Sequence, residues 1–182
     1  MKELSLYILD ITMNSVRANA QNISILIDET GDTLDLEIND DGCGMTEEQV
    51  ESLSNPFFTT RTTRKVGLGV PFLKMAAEMT GGYVEITSKS EREYKDHGTR
   101  VKARFYKNHI DFTPLGDMIE SVITLIQGSP EINFLFRHKK DGCTVELDTA
   151  EIRAILGDDV PLSNFEVLAW MRENLKEQYE NN

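Results

Sequence analysis

Three stretches of this chain combine residue types at spacings that can do chemistry. Asp10 and Asn14 stand four apart in a run predicted to be helical, so a carboxylate and an amide share one face with Tyr7 and Arg17. Taken alone, polar residues at that spacing ordinarily form a solvated helix surface. "NDDGCGM", residues 39–45, ends a strand-like run and holds Asp40 between an apolar strand and two glycines. Gly42 and Gly44 permit φ > 0 and let another group approach the backbone closely. Asp-Asp-Gly by itself is a turn. The second glycine directly after a strand, with Met45 resuming the apolar pattern, sets this turn apart.

The third stretch is "FFTTRTTRKVGLGVPFLKMAAEMTGG", residues 57–82. Thr59, Thr60, Thr62 and Thr63 supply hydroxyl donors, and Arg61, Arg64 and Lys65 supply positive charge. Gly67-Leu68-Gly69 then leads into a helical pattern with Pro71 near its first turn, where proline is tolerated. A helix N-terminus exposes unpaired N–H groups and partial positive charge, and glycines there admit a phosphate to the backbone. The chemistry such a segment suits is the covering of a polyanion by a mobile lid hinged at its glycines. A lone Gly-x-Gly is equally compatible with an exposed linker.

Elements that would position these residues are legible around them. Leu4, Ile8, Ile11, Ser15 and Ala18 recur at helical spacing and predict a helix over 3–20. "ISILIDE" and "TLDLEIND" alternate as strands about Gly31-Asp32. "TEEQVESL" opens on Thr46 with a capping-box signature, and a helix is expected at about 70–80. "GYVEITSKS" and "HGTRVKARFYK" predict two more strands, joined by a charged loop. After Lys107 the pattern restarts as a helix, a hairpin about Asp141-Gly142 and two amphipathic helices. The expected division is therefore residues 1–107 as an α/β domain and residues 108–182 as a small acidic α-β-β-α-α appendage. In the appendage Phe134, Phe136, Val145, Leu147, Ile152, Leu156, Leu168 and Trp170 are the expected core or seam.

Composition narrows the function classes. The chain has 182 residues and a net charge of −12, of which −8 falls in residues 108–182 and −4 in residues 1–107. Such a surface repels nucleic acid and anionic lipid, and it also keeps a protein in solution. No apolar run approaches the ~20 residues of a membrane helix, and Glu3 and Asp10 bracket a segment too short for a secretion signal. A cytoplasmic protein is expected. Cys43 and Cys143 match no metal spacing, and no disulfide is expected in that compartment.

The order of the motifs carries more than any one of them. A helix with D-x-x-x-N-S, a strand ending in D-D-G-x-G, a Thr-rich segment and G-x-G before a helix, over residues 4–106, resembles the GHKL superfamily. That superfamily has the Bergerat ATP-binding fold and includes DNA gyrase B, MutL, large heat-shock chaperones, sensor histidine kinases and anti-sigma kinases. "NSVRANA" is similar to the first helix of MutL, whereas residues 55–88 look more like nitrogen-regulator-type histidine kinases or anti-sigma kinases. The implied fold is a two-layer α/β sandwich, a mixed sheet with helices on one face, followed here by a small α+β appendage.

The implied ligands are ATP and Mg²⁺. Asn14 would offer its amide oxygen to the metal, which takes its remaining ligands from water and phosphates. Asp40 would accept from the adenine amino group, with Gly42 and Gly44 letting the purine lie against backbone. Gly67, Leu68 and Gly69 would wrap the phosphates, and Thr99 would close the adenine pocket through a water shared with Asp40. Residues 55–66, with Thr59, Thr60, Arg61, Arg64 and Lys65, would form the ATP lid.

At position 10 hydrolysing members and anti-sigma kinases usually have Glu, and sensor histidine kinases Asn. Asp10 is a carboxylate with one methylene less, so it retains the chemistry of a base but not its reach. No dimerisation helix bearing a phosphoacceptor His is expected before the ATP fold, and His97, His109 and His138 are expected at the surface. The resemblance implies a stand-alone ATP-binding protein that uses ATP·Mg²⁺ as a slow-ATPase switch or as a phosphoryl source for an unidentified protein partner. A serine or histidine kinase acting on a separate substrate is one alternative; a nucleotide sensor without catalysis is the other.

Overall fold

The computed structural model describes residues 3–54, 69–157 and 159–181. Helix α1 (Leu4–Arg17) leads into strands β1 (Asn22–Thr30) and β2 (Thr33–Asp40), then α2 (Glu47–Ser54) and α3 (Gly69–Met79). Strands β3 (Tyr83–Lys89) and β4 (Gly98–Tyr106) follow, and then α4 (Met118–Gly128). Strands β5 (Asn133–Lys140) and β6 (Cys143–Asp148) precede α5 (Thr149–Leu156) and α6 (Phe165–Glu180). The strands form one sheet in the order β3-β4-β2-β1-β5-β6. All neighbours run antiparallel except β1 and β5, so the sheet is mixed.

Period-two alternation decides which face is buried. Ile23, Ile25 and Ile27 of β1, Leu34, Leu36 and Ile38 of β2, and Val101, Ala103 and Phe105 of β4 are buried, as are Phe134 and Phe136 of β5. The helices pack on that side, with Ile8 and Ile11 of α1, Leu73 and Ala77 of α3, and Val122 and Ile126 of α4 in the same core. The other face meets solvent and is laced by ion pairs: Arg104 to Asp35 at 2.7 and 2.8 Å, Arg100 to Glu37 at 2.6 Å, and Arg137 to Glu146. This is the two-layer arrangement expected.

Short-range signals translate directly into geometry. Thr46 and Gln49 cap α2 reciprocally, each main-chain N–H bonding the other's side chain. Asp141 and Gly142, at φ 50° and 86°, make the β5–β6 turn. Residues 108–182 run α-β-β-α-α, and β5 pairs over its whole length with Asn22–Glu29 of β1, so this segment extends the sheet begun by residues 1–107. Its crossover also caps α1: Leu4 N donates to Pro114 O (2.9 Å) and Ser5 N to Leu115 O (2.8 Å). Glu3, at the N-cap position, makes no side-chain cap, so these carbonyls satisfy helix donors that would otherwise stand open.

Two expectations about burial are corrected. Trp170 is not core but 55 % exposed, because Leu168, Met171 and Leu175 are the residues of α6 that turn inward. His138 is not a surface residue. It is buried on β5, with Nε2 2.9 Å from Glu29 Oε1 and Nδ1 2.8 Å from the Tyr179 hydroxyl.

Candidate functional site

Asp40 is the last residue of β2, at the end of a strand whose alternation points its side chain to the helix-covered face. Its carboxylate is held from two sides. Oδ1 accepts from Gly42 N (2.9 Å) and Thr99 N (3.2 Å), and Oδ2 accepts from the Ser15 hydroxyl (2.6 Å). Helix, loop and strand thus converge on one acidic group. Its neighbour Asp41 anchors the loop by accepting from Gln21 N, Asn22 N and Asn22 Nδ2 at 2.7, 2.9 and 2.7 Å. Partial burial works to raise the Asp41 carboxyl, but these hydrogen bonds outweigh it and hold it below the usual carboxylate range.

The glycines of this loop serve two different purposes. Gly44 has φ +64°, and a Cβ there would stand 1.9 Å from Lys89 O. It therefore needs both the left-handed backbone and the close approach of β3. Gly42 does not use positive φ, contrary to expectation. It is required by space, since a Cβ would lie 2.9 Å from both Ala18 Cβ and Ala18 O. Ser88 ties β3 to this loop: its hydroxyl accepts from Met45 N (2.8 Å), donates to Gly98 O (3.0 Å) and lies 2.8 Å from Thr99 Oγ1. His97 Nδ1 donates to Gly42 O at 2.6 Å.

A cavity of about 580 Å³ opens beside Asp40. Ile38, Ile86 and Val101 line it from the sheet, Ile11, Asn14 and Ser15 from α1, Met45 and Leu53 from the other side, and Thr99 at its end. Apolar walls with a few convergent polar groups are the usual character of a small-molecule site. Asn14 and Asp40 are thereby brought to one cavity as expected. Asn14 Oδ1 accepts from Arg17 Nη1 at 3.0 Å, and Arg17 lines the same cavity.

Asp10 is not among the cavity's lining residues. Its carboxylate instead stands against the first turn of α3, where a Cβ on Gly69 would come within 2.4 Å of Asp10 Oδ2. Gly69 is thus explained by contact with a side chain on α1. The expected roles of Thr59, Thr60, Arg61, Arg64, Lys65, Gly67 and Leu68, and the expected lid over 55–66, lie outside the described residues.

Sequence reading missed Ser15, Ser88, His97 and Glu91, the last of which lines the cavity from the β3–β4 loop. Ser15 had a signal, since it directly follows Asn14 on the helix that bears the site. Nothing local marks the other three, whose positions depend on the pairing of β3 with β4.

A carboxamide oxygen at the wall of a cavity suits a hard divalent cation that keeps waters and binds phosphate oxygens. Displacing the Arg17 contact would free Asn14 Oδ1 for that purpose, so the residues present fit the implied Mg²⁺.

Comparison with known proteins agrees with this arrangement. The family described as "Histidine kinase-, DNA gyrase B-, and HSP90-like ATPase" matches residues 2–109. Among curated proteins, the sensor histidine kinase ZraS of Escherichia coli O157:H7 is 29 % identical over 87 residues, 47 % of this chain and 19 % of that protein. The sensor protein DegM of Bacillus sp. (strain B21-2) is 30 % identical over 96 residues, 52 % of this chain and 24 % of that protein. The chain spans about a fifth to a quarter of the length of these relatives. Among solved structures, the Aquifex aeolicus MutL ATPase domain complexed with ADP has a TM-score of 0.57 at 12 % identity, covering 95 % of this chain and 88 % of that one. The N-terminal domain of a DNA repair protein has a TM-score of 0.51 at 15 % identity, covering 81 % of this chain and 53 % of that one.

Proposed function

Because the chain belongs to the histidine kinase-, DNA gyrase B- and HSP90-like ATPase family, we propose that it binds ATP with Mg²⁺ in the cavity beside Asp40 and uses the nucleotide as a slow-ATPase switch or as a phosphoryl source for a protein partner. The observation that carries this reading is the preorganisation of Asp40. Ser15, Gly42 N and Thr99 N fix the carboxylate before any ligand arrives, leaving one lone pair on Oδ2 to accept from an exocyclic amino group. Adenine offers that donor, whereas guanine would present a carbonyl oxygen to the same carboxylate.

In this reading Asn14 would hold the metal, which when bound would supply positive charge against the triphosphate. The first turn of α3 binds phosphate through backbone N–H groups. Asp10, against that turn, takes the proton from an attacking water or hydroxyl. Transfer to a separate Ser or His substrate is the second reading: a base at the α3 edge, outside the cavity lining, can meet an incoming side chain as readily as a water.

Calorimetry with ATP, ADP and GTP tests the assignment. Adenine nucleotides are expected to bind in preference to GTP, and Asp40→Asn, which adds a donor where an acceptor is needed, to abolish most of the affinity while the fold survives. Undiminished ATP binding by that variant sinks the adenine assignment. Incubation with γ-labelled ATP, alone and with cell extract, separates hydrolysis from transfer.

A further inference from the structure

Arg153 of α5 is half-buried, yet no carboxylate pairs with it among the described residues. It donates instead through Nη2 to Pro130 O (2.9 Å) and Ile132 O (3.4 Å), and through Nε to Asn133 Oδ1 (3.3 Å) at the start of β5. Asn133 Nδ2 donates to Asn22 Oδ1 (3.0 Å) at the start of β1, and Asn22 Nδ2 donates to Asp41 Oδ2 (2.7 Å) in the loop after β2. Among the described residues Asp41 likewise has no cationic partner.

This line of four side chains can run only one way. Arginine donates and cannot accept, and an ionised aspartate accepts and cannot donate, so each amide between them must turn its oxygen toward Arg153 and its NH₂ toward Asp41. The two amide dipoles then align between opposite charges, and each bond polarises the next. The line joins α5 and β5 to the loop that holds Asp40. Asp41 stands between Asp40 and Gly42, whose N–H is one of the three donors to the Asp40 carboxylate. A groove of about 350 Å³ is lined by Asn22, Asp41 and Asn133, and Asp40 lines both this groove and the larger cavity.

We propose that Asn133 and Arg153 are positioning residues of the nucleotide site. Acting through Asn22, they hold Asp41, and with it the Gly42 N–H and the Asp40 carboxylate, in the geometry that accepts from adenine. Residues of the segment beyond 107 thereby help to set the affinity of a site whose ligand-facing groups all precede that segment. The Asn22 main-chain N–H also donates to Asp41 Oδ1, so cutting the line loosens the loop without releasing it. The proposal rests on the adenine assignment of Asp40.

The test is calorimetry of the whole chain with ATP and GTP, with hydrogen exchange over residues 41–44 and the thermal midpoint measured alongside. Asn133→Asp keeps the size and the oxygen that Arg153 reaches, but it faces Asn22 Oδ1 with an acceptor in place of a donor. It is expected to lower ATP affinity by about two- to tenfold, in the range of coupling carried through a side-chain network. It should also narrow the preference for ATP over GTP and speed exchange over 41–44. Arg153→Met is expected to act in the same direction and more weakly. In an Asn22→Ala background the line is already cut, so Asn133→Asp is expected to have no further effect on ATP affinity. Arg137→Gln removes an ion pair also anchored on β5 and, as the control, is expected to leave ATP binding unchanged. Should Asn133→Asp unfold at the assay temperature, Asn133→Ala carries the comparison. Parental ATP affinity in the Asn133 variant, or a loss that adds in full to that of Asn22→Ala, overturns the proposal while the adenine assignment stands. A parent that binds no ATP overturns both.

Discussion

At the scale of single residues, the site is a set of acids given different tasks by their neighbours. Asp40 and Asp41 each accept three hydrogen bonds, but those of Asp41 fix the loop, whereas Asp40 also lines the larger cavity. Ser15 links Asp40 to α1. Ser15→Ala is expected to remove a charge-assisted hydrogen bond of about 1.5 to 3 kcal/mol and to weaken ATP binding on the order of tenfold, with thermal stability reported alongside by calorimetry. In the proposed reading Asp10 is the base. Asp10→Asn keeps its shape and removes the proton acceptor, so turnover or transfer is expected to fall by a factor on the order of 10² to 10⁴ with nucleotide affinity spared. Turnover equal to the parent would show that Asp10 is not the base.

At the scale of elements, α1 is the part through which everything passes. It bears Asp10, Asn14 and Ser15, its N-terminus is held by Pro114 and Leu115, and it packs on α3 and α4. The α1–α3 contact is tight enough to make a sharp test. Gly69→Ala brings a Cβ within 2.4 Å of Asp10 Oδ2, so the carboxylate must swing aside. Alanine at the same time favours the helix over glycine by about 1 kcal/mol. The two effects have opposite signs in different assays: turnover is expected to drop while the thermal midpoint holds or rises. Gly128→Ala, at the end of α4 with open space around it, serves as the control and is expected to leave turnover unchanged. Equal activity in the Gly69 variant would mean that Asp10 need not stand where it does.

At the scale of the whole molecule, a buried polar cluster at the end of the sheet away from the cavity joins the first and last thirds of the chain. Glu29 of β1 meets Lys107 after β4 and His138 of β5, and His138 meets Tyr179 of α6. Burial pushes the His138 imidazole below its usual value near 6.5, and the nearby Lys140 and Lys107 add to this, against the pull of Glu29. Burial works to raise Glu29, but the hydrogen bonds from Lys107 and His138 and the charge of Lys140 outweigh it and leave the carboxyl lowered. Burial also raises the Tyr179 phenol, which therefore stays protonated and can donate to Nδ1 while Nε2–H donates to Glu29. Both depressed groups bind protons more readily in the unfolded chain, so stability declines as pH falls. The decline is expected to start near pH 6.5 through His138 and to steepen below about 4.5 through Glu29. Urea midpoints between pH 8 and 4 measure it. In His138→Gln the slope between pH 7 and 5 should flatten, and an unchanged slope would remove His138 from the account.

Alternation and caps in the sequence determined the strands, the helices and the hairpin at Asp141-Gly142, because these depend on neighbours a few residues away. The order of Asp10–Ser15, Asp40–Gly44, the Thr-rich segment and Gly67–Gly69 likewise carried the resemblance to an ATP-binding family before any pairing was known. What the sequence left open was decided by contacts between residues far apart. The parallel pairing of β1 with β5 carried residues 108–182 into the sheet, and only that pairing buried His138 against Glu29. Gly42 and Gly69 were visible as glycines, yet the reasons for them, Ala18 and Asp10, lie on another element. Trp170 was misread because an amphipathic helix states how wide its apolar stripe is, while only packing against β6 and α4 selects which residues of the stripe turn inward.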